Sequence, residues 1–157
     1  MTQVLCSAAV AAALAGSGGA PAAVHAQAAS AAAPALVNPN SASEADLARL
    51  PHMNAAIVRA LSGQRPFSSM TAVDMLLTSH GLTKPQSTEL YRRMFIPLDL
   101  NAASDAEILL IPNLGNRMLH EFKEYRPYKA IAQFRREIGK YVSKDEVARL
   151  ERYVVVR

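Results

Sequence analysis

Apolar residues along this chain recur at helical spacing in short blocks, and each block is stopped by a proline, a glycine or a polar cap before it grows long. Leu47 and Leu50 make one inner face ahead of Pro51, and Ile57 with Leu61 makes the next. The same order returns further on, with Ile108 and Ile111 ahead of Pro112, then Met118 with Phe122. Spacing of three and four residues predicts short amphipathic helices, and proline ends the first of each pair because it cannot donate the next helical hydrogen bond. The back halves predict two more helix pairs, roughly 70–79 with 84–95 and 130–139 with 144–153. Ser43-Glu44-Ala45-Asp46 and Ser104-Asp105-Ala106-Glu107 read as capping boxes, as do Thr83-Lys84-Pro85-Gln86 and Ser143-Lys144-Asp145-Glu146. Strand character is confined to Val154-Val155-Val156, a β-branched tail suited to an extended pairing or to covering the core. The expected fold class is all-α.

The blocks are two copies of one unit. Asn40-Ser41-Ala42-Ser43-Glu44-Ala45-Asp46-Leu47 returns as Asn101-Ala102-Ala103-Ser104-Asp105-Ala106-Glu107-Ile108, and Arg65-Pro66-Phe67 returns as Arg126-Pro127-Tyr128, all at one offset of 61 residues. Leu90 maps on Leu150 at 60, one deletion later. A fixed register of this kind marks a repeated supersecondary unit. The copies are expected over 37–97 and 98–157. Ahead of them, residues 27–36 are an Ala/Ser/Pro tract with too little side chain to build a core. Residues 1–26 are uncharged, Ala-rich and end in Val24-His25-Ala26, the pattern of a secretory leader cut before Gln27. Its apolar run from Ala8 to Ala15 is too short to span a bilayer. The expected location is therefore the periplasm, and Cys6 would leave with the leader, so that no disulfide or thiol chemistry is expected of the mature chain.

Charge is mild and uneven. Residues 41–100 carry 6 basic and 5 acidic side chains, and residues 101–157 carry 11 and 8. That falls short of the clustered positive stripe of a dedicated nucleic-acid binder.

The order Asn-x-Ala-Ser, an acid-Leu or acid-Ile pair, Leu-Pro or Ile-Pro, a short loop, then Arg-Pro-aromatic resembles, twice over, the helix-hairpin-helix domain of the competence DNA receptor (ComEA-like) family. The resemblance implies two tandem helix-hairpin-helix repeats whose loops, normally Pro-Gly-hydrophobic-Gly, present backbone amides at a helix start to a DNA phosphate. At those loops this chain departs from the pattern. The first reads Pro51-His52-Met53-Asn54, with neither glycine, so that Asn54 places a side chain where the family keeps the backbone bare. The second reads Pro112-Asn113-Leu114-Gly115 and keeps the later glycine. Asn113, and less readily His52, can adopt the left-handed backbone that the first position needs. By this resemblance one phosphate site is left, formed by Asn113, Gly115 and Arg117 with support from Lys123. The plainer reading of Arg117 and Lys123 is a solvated helix face.

No Ser/His/Asp grouping or phosphate-binding glycine loop is present, and His52, His80 and His120 stand in no metal-ligand spacing. No catalysis, cofactor or metal is expected. Interfaces favour Tyr and Arg, which makes Arg136, Lys140, Tyr141 and Arg152 the expected partner-binding residues, with Tyr153 a further candidate unless it packs in the core. The expectation is a non-catalytic accessory subunit docked on a larger periplasmic or membrane-associated complex, such as a membrane-bound oxidoreductase. Weak binding of duplex DNA is the alternative. The extrinsic helix-hairpin-helix subunit of photosystem II is similar at fold level, and there the module serves protein binding.

Overall fold

The computed structural model describes residues 35–157, so the expected leader and most of the expected linker lie outside it. The described chain is mostly helical, with eight short helices and two short strands. The first copy contributes α1 (Glu44–Ala48), α2 (Ala55–Gly63), α3 (Met70–Ser79) and α4 (Lys84–Tyr91). The second contributes β1 (Leu98–Asp99), α5 (Asp105–Ile108), α6 (Asn116–Glu124), α7 (Ile131–Ile138), α8 (Lys144–Glu151) and β2 (Val154–Val155).

Local chemistry starts the helices where the caps predict. The Asp46 and Glu107 amides donate to Ser43 Oγ and Ser104 Oγ at 3.1 and 3.3 Å, opening α1 and α5. Only two of the four expected boxes close reciprocally: Ser104 N donates to Glu107 Oε2 at 2.9 Å, and Thr83 N to Gln86 Oε1 at 2.9 Å. Asp46 instead accepts from the Ser43 hydroxyl at 2.6 Å, and Glu146 accepts from Nη2 and Nε of Arg149 at 2.7 and 2.8 Å. A cap is worth about 1 kcal/mol, enough to fix a boundary but not to hold helices this short.

Tertiary contacts supply the rest, and the repeated sequence words make them. Asn40 accepts from Phe67 N at 2.8 Å and donates to Phe67 O at 3.0 Å; Asn101 does the same with Tyr128 at 2.7 and 3.0 Å. Arg65 donates to Ala42 O at 2.7 Å and Arg126 to Ala103 O at 2.8 Å. Each clip ties the entry of the first helix to the exit of the second, and the Arg-Pro bond is cis in both copies.

Each copy also closes its end upon its start. Val37 bridges Met94 in parallel, and β1 pairs with β2 in parallel with Leu98 opposite Val154. The corresponding bonds are Val37 N to Arg93 O at 2.7 Å and Leu98 N to Tyr153 O at 2.8 Å. This pairing ends α4 at Tyr91 and α8 at Glu151, short of the expected 95 and 153. Phe95 N donates to Val37 O at 3.0 Å instead of continuing a helical ladder. The partner of the β-branched tail, Leu98–Asp99, carries no strand signal in the sequence.

The apolar side chains of both copies form one buried cluster. Phe95 meets Tyr153 edge-on at 5.0 Å and Tyr91 at 6.1 Å, while Phe122 meets Phe134 at 5.2 Å. Edge-to-face pairs of this kind add about 1 kcal/mol beyond area burial. Tyr153 is 1% exposed and so belongs to the core.

Candidate functional site

The α1–α2 and α5–α6 loops share a backbone. His52 and Asn113 occupy the same left-handed turn position, with φ of 63° and 62°. Their surroundings differ. At the first loop Asn54 Oδ1 accepts from Ile57 N at 2.9 Å, so its own side chain satisfies the first turn of α2. His52 Nε2 lies 2.8 Å from Glu89 Oε2, and this bond holds the Glu89 carboxyl below its usual range.

At the second loop Gly115 is the N-cap of α6 and offers no side chain to the helix start. A carboxylate is replaced by a cation there: Arg149, the counterpart of Glu89 at the offset of 60, donates to Pro112 O at 2.9 Å. Arg92 Nη2 reaches Asn113 Oδ1 at 3.4 Å. Arg117, in the first turn of α6, is exposed, and its side chain makes no hydrogen bond or ion pair with another described residue. Of the four expected phosphate residues, Asn113, Gly115 and Arg117 therefore share the loop, whereas Lys123 is paired with Asp105 at 2.7 Å. Arg92 and Arg149 were missed by sequence reading, although the reversal of charge between Glu89 and Arg149 at equivalent positions was there to be seen.

A second cluster lies where α6 and α7 end. The Tyr125 and Tyr141 hydroxyls are 2.7 Å apart, and Lys140 Nζ sits 5.2 Å from the centre of the Tyr125 ring. Glu137, its side chain 10% exposed, accepts from Lys140 and from Arg136, the latter at 2.7 Å. Those two cations, Lys140 first, hold the Glu137 carboxyl below the usual carboxylate range. The Tyr125 hydroxyl and then Glu121 push the Tyr141 hydroxyl up. Tyr141 is nonetheless 37% exposed. Arg136, Lys140 and Tyr141 are thus brought together around Glu137 and Tyr125, two residues that periodicity alone did not single out. Arg152 sits elsewhere, over the Tyr153 ring at 5.9 Å.

His80 caps the end of α3, and His120 is an exposed partner of Glu124 at 3.3 Å. Among the described residues no group of three or more His, Cys, Asp or Glu side chains is placed to hold a metal ion. No helix among them is long and apolar enough to cross a membrane. No family model, curated protein or solved structure matches the chain.

Proposed function

We propose that this chain is a non-catalytic periplasmic accessory subunit, built from two tandem helix-hairpin-helix repeats, that docks on a larger envelope protein complex such as a membrane-bound oxidoreductase. One observation carries the reading: Tyr125, Arg136, Lys140 and Tyr141 form a surface cluster in which Tyr125 holds Tyr141 and Lys140, and Glu137 holds Lys140 and Arg136, before any partner arrives. Such ordering lowers the entropic cost of docking, and Tyr and Arg are the side chains that most often dominate interface energetics.

The test is purification of the tagged protein from a gentle detergent extract of the envelope. A partner should come with the parent and be lost from the Arg136→Ala/Tyr141→Ala double variant. Both residues lie outside the core cluster, so the melting temperature should stay within about 3 °C of the parent. Deleting the subunit should lower the partner's abundance, because a ligand of the folded state stabilises it by mass action. A protein that runs as a lone monomer, with no partner altered by its deletion, rules this function out.

The bare N-cap at Gly115 with Arg92 and Arg117 at its loop, and with Arg149 paired to Glu146 behind it, favours one second reading, weak binding of duplex DNA in the manner of the ComEA-like family. One loop makes few phosphate contacts, so affinity should fall shallowly with salt, at a log–log slope of about 0.9 per phosphate neutralised. Arg117→Ala should weaken that binding further. Tight binding of duplex at physiological salt would reverse the order of the two readings.

A further inference from the structure

We propose that the groove between α7 and α8 receives an aromatic side chain from an acidic segment of the partner protein. This rests on the docking reading and names the chemistry of what is docked. The groove has a volume of about 430 Å³ and is lined by the buried Val147, the exposed Ala148 beside it, and Arg135, Arg136 and Lys144. Glu151 is the one carboxylate in the lining, and both its oxygens are held by Arg135 at 2.5 and 2.7 Å. Arg135 is thus paired, and Arg136 shares Glu137 with Lys140. The lining keeps a net positive charge in which Lys144 has no carboxylate among the described residues. The apolar pair Val147 and Ala148 beside that charge is complementary to an apolar group carried between carboxylates. The same charge disfavours a basic segment by like-charge repulsion.

The first copy shows what kind of apolar group such a helix pair accommodates. There Tyr91 holds the position of Glu151 and Asp74 that of Arg135, at the offsets of 60 and 61. The Tyr91 ring is 1% exposed, and its hydroxyl donates to Asp74 Oδ1 at 2.5 Å across the two helices. The inter-helix tie survives in the second copy as Arg135–Glu151, but the ring does not. The first helix pair carries its own aromatic beside Ser87 and Thr88; the second has Val147 and Ala148 at those positions and no aromatic.

The probes are three short peptides: one with a phenylalanine between pairs of aspartates, one with alanine in its place, and one with the phenylalanine between lysines. Each is titrated into the ¹⁵N-labelled protein. The acidic phenylalanine peptide should move the amides of Gly139, Val147 and Ala148 with a Kd below about 1 mM, and the alanine peptide should bind about tenfold more weakly. The lysine peptide should leave those amides unmoved. Ala148→Trp, at an exposed helix position, should fill the groove and abolish the shifts, and Lys144→Glu should weaken binding at an unchanged melting temperature. Failure of the acidic phenylalanine peptide to move these amides, equal binding of the lysine peptide, or undiminished binding to Ala148→Trp each overturns the proposal. Envelope purification separates this failure from that of the docking function. If Ala148→Trp retains a partner that Arg136→Ala/Tyr141→Ala loses, the groove is wrong and the docking reading stands; if the parent retains no partner, the docking reading fails first.

Discussion

At the α1–α2 loop the chain closes its helix start with its own side chain, Asn54 on the Ile57 amide, and sets Glu89 beside His52. At the α5–α6 loop the cap is the bare Gly115, and the nearby side chains are Arg92, Arg117 and Arg149. The left-handed turn is the same in both, to within a degree of φ at His52 and Asn113. Backbone geometry has therefore been kept while the chemistry exposed at the loop has diverged. The clips explain how that is possible. Asn40 to Phe67 and Asn101 to Tyr128 hold each helix pair from behind, so a loop can change its cap and its charge without moving the helices.

Breaking the clips should have the largest effect and the most equal one. Asn40→Ala and Asn101→Ala each remove two hydrogen bonds from partly buried backbone, at about 2–3 kcal/mol per variant in urea denaturation. A cost confined to one copy would show that the clips are not equivalent. Asn54→Ala should cost about 1 kcal/mol as a lost cap, and Asn54→Gly only a few tenths, on the order of 0.3 kcal/mol. The reciprocal change, Gly115→Asn, should add on the order of 0.3 kcal/mol, since a Cβ at Gly115 meets nothing within 4 Å. It should also close the second loop to phosphate, which a duplex titration would register as a lost contact.

The smallest effect is the acid limb. Glu146 and Glu151 lie below their ordinary pKa of 4.5 because of bonds from Arg149 and Arg135 respectively. Depressed carboxyls contribute stability that is present above the unfolded value and lost as pH falls through the folded one. Below about pH 4.5 the α7–α8 region should therefore weaken, and Glu146→Gln/Glu151→Gln should flatten that decline while lowering stability slightly at neutral pH. Hydrogen exchange resolved by residue would locate the change; an unchanged acid slope in the double variant would show that these pairs do not carry it.

What the sequence made legible was mostly short-range. Helix starts at Ser43, Thr83, Ser104 and Ser143 lie within three residues of their causes and fell where the caps put them. The ends of α4 and α8 were read too far along, because what stops them is pairing with Val37 and Leu98, more than fifty residues back in the chain. The repeated Asn and Arg-Pro-aromatic words were plain in the sequence, but their reason is a contact across 27 residues that no local pattern contains. At the candidate site, Arg136, Lys140 and Tyr141 were singled out by residue type, and the structure brings them to one region. Glu137, which joins two of them, was not singled out, because a glutamate in a charged helix gives no sign of being nearly buried.

The parallel pairing of each copy's last residues with its first has a consequence for how such a chain can be assembled. Phe95 bonds back to Val37 and Leu98 forward to Tyr153, with only Ile96 and Pro97 between them. A unit whose chain leaves beside the point where it entered can be copied in line, because the exit of one unit is already next to the entry of the following one. Lengthening the gene by one unit then asks for a short connector and no rearrangement inside either copy. By the same geometry the natural entry and exit of a copy could be joined and a new break opened at a surface turn such as His80–Gly81, making the order of its helices a matter of where the gene happens to start.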